Sequence, residues 1–158
     1  MTGIYRYTNL RERTARRNGG ARVEGNNKRA VEPSTPIQMV LASSSKLFLE
    51  GMCKILEDEG DIKITAEILT CEETLEYLAN VEVEFLLIDN VALNLDTEGL
   101  SNLIDKKDSD TKVILLDNQT HKLNFPGVIY LTKETDSSEL IYIIRKTKVA
   151  LSHAVNKV

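Results

Sequence analysis

The sequence predicts one α/β domain between residues 37 and 150, built on a five-stranded, parallel, doubly wound sheet. Short apolar runs alternate along the chain with segments whose apolar residues recur at helical spacing. Strands that alternate with helices imply parallel pairing and right-handed crossovers. The run Phe85–Asp89 is apolar up to its last residue, which is typical of a strand buried on both faces. The 158 residues, 42% of them apolar, suffice for one such core.

The elements follow from these runs and from the turn residues between them. The predicted strands are Ile37–Ala42, Ile62–Leu69, Phe85–Asp89, Lys112–Leu116 and Val128–Leu131. Four helices are predicted, opened in turn by Ser43-Ser44-Ser45, by Thr70 or Cys71, by Asp96, and by Asp136-Ser137-Ser138-Glu139. Gly60 is a plausible stop for the first of them, and residues 90–95 are predicted to form a loop.

One connection is too short for the pattern. Only ten residues, 118–127, lie between Asp117, at the end of the fourth strand, and Val128, whereas a parallel crossover normally needs about a dozen or more. We therefore expect the fourth helix to be missing or reduced. The last helix is apolar almost all round, which is typical of a helix covered on more than one side. The sequence thus predicts a partner, most simply a second copy, against an interface formed by Leu140, Ile141, Tyr142 and Ile144.

The net charge of −4 conceals an asymmetry between two segments. Residues 1–36 hold eight Lys or Arg and three Glu, so the remainder carries −9. Few apolar residues occur in this first segment, and we interpret it as a disordered basic arm and linker, native or left over from cloning. An arm that binds nucleic acid is the functional alternative. Residues 151–158 are predicted to be a tail or the end of the last helix.

Several classes of site and location are disfavoured. No apolar run is long enough to span a bilayer and no signal-peptide pattern occurs, so we expect a cytoplasmic protein without membrane contact. Cys53 and Cys71 have neither disulfide nor metal spacing, and His121 and His153 stand apart from any cluster of metal-binding residues. A zinc site is therefore not expected.

Three segments carry a resemblance to a known family. Val40–Gly51 matches an apolar strand followed by an acidic pair and a helix start. Phe85–Asp89 matches a strand that ends in a phosphoacceptor aspartate. Tyr130–Lys133 matches a strand that bears a switch aromatic and a lysine. Residues 37–148 therefore resemble a response-regulator receiver domain of the LuxR/NarL class, with a flavodoxin/CheY-like sheet. The resemblance implies a signalling domain of a two-component system, not an enzyme. It assigns Asp89 to the phosphoacceptor position, Lys133 to the lysine and Tyr130 to the switch aromatic.

The departures from the family pattern concern the phosphorylation pocket. The acidic pair that holds Mg²⁺ in the family falls on Ser43 and Ser44, and a position that normally carries Thr or Ser falls on Asp117. Two neutral hydroxyls are poor ligands for Mg²⁺, so we expect metal binding to be weak or lost, and no other cofactor. We predict instead that Lys133 bridges Asp89 and Asp117. The alternative is that Asp117 points into solvent from the end of its strand.

The resemblance and its departures favour a degenerate receiver, or pseudo-receiver, similar to biofilm-type LuxR regulators. Such a domain acts through protein contact or dimerisation in transcription regulation, independently of phosphorylation. DNA would be contacted only through an output domain, because no helix-turn-helix follows Lys148. Either that domain was removed or the protein is a stand-alone receiver. The main alternative is a true phosphoacceptor that uses Asp89 with an unusual metal site.

Overall fold

The computed structural model describes residues 35–107, 110–118 and 124–155. Its strands are β1 Ile37–Ala42, β2 Ile62–Ile68, β3 Phe85–Asp89, β4 Lys112–Leu116 and β5 Val128–Leu131. Its helices are α1 Lys46–Glu57, α2 Cys71–Asn80, α3 Asn90–Leu93, α4 Thr97–Lys106 and α5 Ser137–Val155. The basic arm up to residue 34, together with His121, lies outside the described residues.

The five strands form one sheet in the order β2-β1-β3-β4-β5, and every neighbouring pair is parallel. This confirms the predicted fold class. β3 occupies the centre, where Leu87 pairs with Leu41 on one side and with Ile114 on the other. All five residues of β3 are buried, as its unbroken apolar run predicted. The carboxyl ends of β1, β3 and β4 therefore meet along one edge of the sheet.

Helices cover both faces of the sheet. On one face, α1 and α5 contribute core residues that pack against alternate residues of the strands; they are Leu49, Leu56, Leu140, Ile141 and Ile144. On the other face, α2 and α4 contribute Tyr77, Leu78, Leu100 and Leu103. The two cores share the sheet between them because successive side chains of a strand point to opposite faces.

Polar side chains begin the helices where the sequence places them. Ser45, Thr70 and Asp96 each accept a hydrogen bond from the backbone N–H three residues later, at 3.2, 3.2 and 2.8 Å. Asp136 does the same for Glu139 at 2.9 Å. These bonds satisfy N–H groups that have no partner within the helix. Gly60, the predicted stop, adopts a positive φ of 78° just after α1.

Two connections differ in their agreement with the sequence prediction. Between β4 and β5, the described residues form a bend and a turn rather than a helix, as the short spacing predicted; residues 119–123 are not described. The predicted loop over residues 90–95 is wrong in part, because Asn90–Leu93 form the short helix α3. Asp89 caps this helix, and Asn94 ends it in the left-handed region with φ 50°.

The predicted interface on α5 is corrected by the packing. Leu140, Ile141 and Ile144 are only 4%, 6% and 0% exposed, because they belong to the core beneath α5. Of the four named residues, only Tyr142 is exposed, at 62%. The core that these residues share with α1 and the strands accounts for the apolar run, so the run does not require a partner. Among the described residues, no helix is long and apolar enough to cross a membrane.

Candidate functional site at the carboxyl edge of the sheet

Three of the predicted site residues meet at the carboxyl edge of the sheet. Ser43 follows β1 and Asp89 ends β3, and these strands are neighbours, with Ala42 paired to Ile88. Lys133 lies two residues beyond β5, and its long side chain reaches back across β4. The strand order thus brings together side chains that are more than forty residues apart in the sequence.

The Asp89 carboxylate is enclosed by donors. Its Oδ2 accepts hydrogen bonds from Ser43 Oγ at 2.7 Å and from Lys133 Nζ at 3.0 Å. Its Oδ1 accepts a bond from the backbone N–H of Ala92 at 3.3 Å, within the first turn of α3. The side chain is 0% exposed. A buried charge is tolerated when it is paired and hydrogen-bonded, and Asp89 meets both conditions.

Lys133 is held from two sides. Besides its ion pair with Asp89, its Nζ lies 4.4 Å from the centroid of the Phe48 ring, a cation–π distance. Phe48 also packs against the core of this face, and its place in the apolar period of α1 carries no signal for contact with a lysine. A cavity of about 60 Å³ lies beside this pair. It is far smaller than the roughly 300 Å³ of a typical ligand pocket.

The two serines at the metal-binding positions have different environments. Ser43 is fully buried; its hydroxyl donates to Asp89 and accepts the Ser45 N–H at 3.1 Å. Ser44 is exposed, and its hydroxyl donates to the carbonyl of Ala92 at 2.8 Å. Both serine hydroxyls are therefore engaged within the protein.

The predicted bridge of Lys133 between two carboxylates is half correct. Lys133 pairs with Asp89, but the Asp117 Oδ2 accepts its hydrogen bond from Asn90 Nδ2 at 2.9 Å. The Oδ1 of Asn90 in turn accepts the N–H of Leu95 at 2.9 Å. Asn90 therefore fixes Asp117 and the end of α3 together. The predicted loop over residues 90–95 gave no sign of these contacts, because the two partners of Asn90 lie at different distances along the chain.

The side chains that could offer oxygen ligands to a magnesium ion at this edge are engaged by protein groups. Mg²⁺ needs oxygen ligands in near-octahedral geometry, usually with carboxylates among them. The Asp89 carboxylate has the Lys133 ammonium against it, Ser43 is engaged as its donor, and Asp117 is held by Asn90. The positive charge that balances Asp89 comes from the protein itself. We therefore derive no chemistry through a metal at this edge.

Tyr130, the predicted switch aromatic, lies on the exposed side of β5 at 39% exposure. Its hydroxyl accepts the backbone N–H of Phe125 at 2.7 Å. This bond joins β5 to the connection that precedes it. Tyr130 is close to Lys133 in the sequence. Its hydroxyl, however, forms its hydrogen bond on the face of the sheet opposite to the α1/α5 core.

Known structures share this architecture, although no family model and no curated protein sequence matches the chain. A signal receiver domain of an HD domain-containing protein from Pseudomonas fluorescens Pf-5 is 22% identical with a TM-score of 0.60, covering 78% of this chain and 99% of its own. The receiver domain of the putative response regulator NarL from Mycobacterium tuberculosis is 17% identical with a TM-score of 0.58, covering 72% and 96%.

The response regulatory domain of mrkE from Klebsiella pneumoniae also aligns, at 14% identity with a TM-score of 0.60, over 73% of this chain and 98% of its own. The chain has the receiver fold. At these identities the likeness concerns the fold alone. The function of the fold in this chain depends on the residues at the carboxyl edge of the sheet.

Proposed function

We propose that this chain is a degenerate receiver domain that regulates by protein contact, without phosphorylation of Asp89. We further propose that it serves a LuxR-type transcriptional regulator. The enclosure of the Asp89 carboxylate carries the first proposal. The side chain is 0% exposed and accepts hydrogen bonds from Ser43, Lys133 and Ala92.

Phosphorylation of an aspartate requires one carboxylate oxygen to attack an incoming phosphoryl group. The transfer also requires positive charge that stabilises the transferring group, which metal ions usually supply. In this chain Oδ2 has two donors and Oδ1 has one, so an attacking oxygen would first have to lose a partner. Asp117 adds a second carboxylate to the same edge, and like charge disfavours an approaching phosphoryl group.

A residual phosphoacceptor is the competing function. The observation in its favour is that Asp89 and Lys133 remain in contact at 3.0 Å, the two positions that the family resemblance assigns to the phosphoacceptor and its lysine. The positions of Ser43, Ser44 and Asp117 weigh against it. Both functions place a receiver in a signalling pathway, and they differ in whether Asp89 changes covalently.

Intact mass spectrometry after incubation with acetyl phosphate and Mg²⁺ separates the two functions. We expect no gain of a phosphoryl group, because the nucleophile is enclosed and, among the described residues, no group of three or more His, Cys, Asp or Glu could hold a metal ion. A gain in the wild type that disappears in Asp89→Asn would refute the proposal. Ser43→Asp is the matched gain-of-function variant: it restores one acid of the pair, and its melting temperature should become Mg²⁺-dependent while that of the wild type does not.

A further inference from the structure

The outward face of α1 carries an apolar row that the protomer leaves uncovered. Leu47 is 80% exposed and Ile55 is 41% exposed, and both are large hydrophobic side chains. Gly51 lies midway between them, four residues from each, so the three positions form one row along the helix. Exposed apolar residues are ordinary when single. Here two of them lie on either side of a glycine. The missing side chain of Gly51 leaves a gap in the row, which we call the glycine notch.

Gly51 is not explained by the protomer itself. It lies in the middle of α1 with ordinary helical backbone, and a Cβ added to it would meet nothing within 4 Å. Glycine destabilises a helix relative to alanine. Among the described residues, no close contact requires a glycine at this position. A glycine permits the close approach of another chain segment, and on this face that segment must come from outside the protomer.

The charged residues beside the row on one copy of the chain are complementary to the same residues on a second copy. Glu50 and Lys54 are exposed on the same flank of Leu47, Gly51 and Ile55. If two copies of α1 pack antiparallel about a twofold axis near Gly51, each flank faces the same flank of the other copy. Glu50 of each copy then approaches Lys54 of the other, and Leu47 approaches Ile55. The competing partner of Lys54 is Asp58 at 3.0 Å, an exposed i,i+4 pair of the kind that contributes little.

We propose that a second copy of this chain docks on this row, α1 against α1, in an isologous dimer centred on Gly51. The proposal deepens the proposed function, on which it rests, by naming the partner and the surface of a domain that acts through protein contact. Rows of residues four apart pack into each other at a crossing angle near −50° in the commonest class of helix contacts. The glycine notch lets the two helix backbones approach at the crossing point.

The exposed residues of α5 form no comparable surface. Tyr142 and Val149 are exposed but seven residues apart, and the Lys146 ammonium lies 5.9 Å from the Tyr142 ring between them. Arg145, the neighbour on this helix, is bound to Glu59 and Asp61. Among the helices that the structure describes, α1 alone combines an apolar row, an unexplained glycine and flanking charges that complement a second copy.

Sedimentation equilibrium of the full chain tests the proposal through a charge swap. We expect a reversible dimer, weakened about tenfold by Glu50→Lys and by Lys54→Glu, because each variant sets like charges against each other at two symmetric contacts. A 1:1 mixture of the two variants should recover the wild-type affinity, since a doubly positive flank then faces a doubly negative one. A charge reversal at Lys146 on α5 is the matched control and should leave the affinity unchanged.

A second variant separates docking from folding. Gly51→Leu places a side chain in open space, so the protomer should fold and melt at least as high as the wild type, while the dimer is lost. A monomeric wild type at every soluble concentration, or a dimer indifferent to all these α1 variants, would overturn the inference. Intact mass of the same samples after acetyl phosphate treatment distinguishes the two proposals: phosphorylated Asp89 in a dimer refutes the proposed function alone, and an unphosphorylated monomer refutes the docking alone.

Discussion

The two ends of the sheet hold opposite charges together in different ways. At the carboxyl end, Asp89 and Lys133 form one ion pair whose acid is 0% exposed. At the amino end, α5 reaches over the strand starts, where Arg145 binds Glu59 and Asp61 at 2.8 Å each. Lys148 of the same helix binds Glu84 in the same region. The amino-end side chains are all 26–42% exposed.

From this difference we expect burial, rather than the number of ion pairs, to decide how strongly the stability of each end depends on its charges. Exposed pairs compete with water and contribute little to the free energy of unfolding. A buried carboxylate that loses its partner keeps its full desolvation penalty. The carboxyl end, with fewer ion pairs among the described residues, should therefore be the more sensitive of the two. Three substitutions test this comparison.

The largest effect is expected from Lys133→Met, which removes the cation and keeps the apolar stem. The free energy of unfolding should fall by about 3 kcal/mol, because Asp89 is left buried without a countercharge. Urea unfolding followed by circular dichroism measures this. The double variant Asp89→Asn/Lys133→Met is the control and should be more stable than Lys133→Met alone. If it is not, the loss comes from packing against Phe48 rather than from the unpaired charge.

A smaller effect is expected from Ser43→Ala. This variant removes the 2.7 Å bond to Asp89 and the acceptor of the Ser45 N–H, at a cost of about 2 kcal/mol. Ser44→Ala is the matched control, because the neighbouring hydroxyl is exposed and bonds only the Ala92 carbonyl among the described residues. Its cost should stay within about 0.5 kcal/mol in the same unfolding experiment. Equal losses for the two serines would remove the distinction between a buried and an exposed hydroxyl at this edge.

The smallest effect is expected from Arg145→Ala at the amino end, and it should depend on pH. The Arg145 guanidinium lowers the pKa of Asp61 below its ordinary value of 3.8. The pair therefore stabilises the folded state when the pH lies above that ordinary value. This stabilisation is lost as the pH falls through the lowered pKa of Asp61. Urea unfolding of wild type and variant should differ at pH 7 and converge under strongly acidic conditions. A difference independent of pH would mean that the Arg145 side chain acts through packing.

The sheet could be predicted from the sequence because each strand is an apolar run with clear ends. β1, β3, β4 and β5 have the predicted bounds, and β2 ends one residue earlier than predicted. The helix starts also followed from local chemistry, as Ser45 and Asp96 show. Such features depend on residues within one turn of each other, so a single sequence contains all the information that they require.

The contacts of the site could be predicted only in part, because they join distant segments. The pairing of Asp89 with Lys133 followed from the family resemblance, whereas the contact between Asn90 and Asp117 did not, since a turn residue gives no sign of its partner. The burial of Ile141 and Ile144 was missed for a related reason. An apolar run on a helix does not reveal how much of the sheet lies beneath it.

The contacts around Lys133 form a closed circuit with the first turn of α1. Asp89 binds Ser43, Ser43 accepts the N–H of Ser45, Ser45 caps the helix at Phe48, and the Phe48 ring lies against Lys133. The circuit closes at Asp89 through the lysine ammonium. A helix turn held at both its cap and its side chain is preorganised. A partner that docked next to it, at Leu47 as proposed, would therefore lose less affinity to the ordering of that surface than on a loosely held helix.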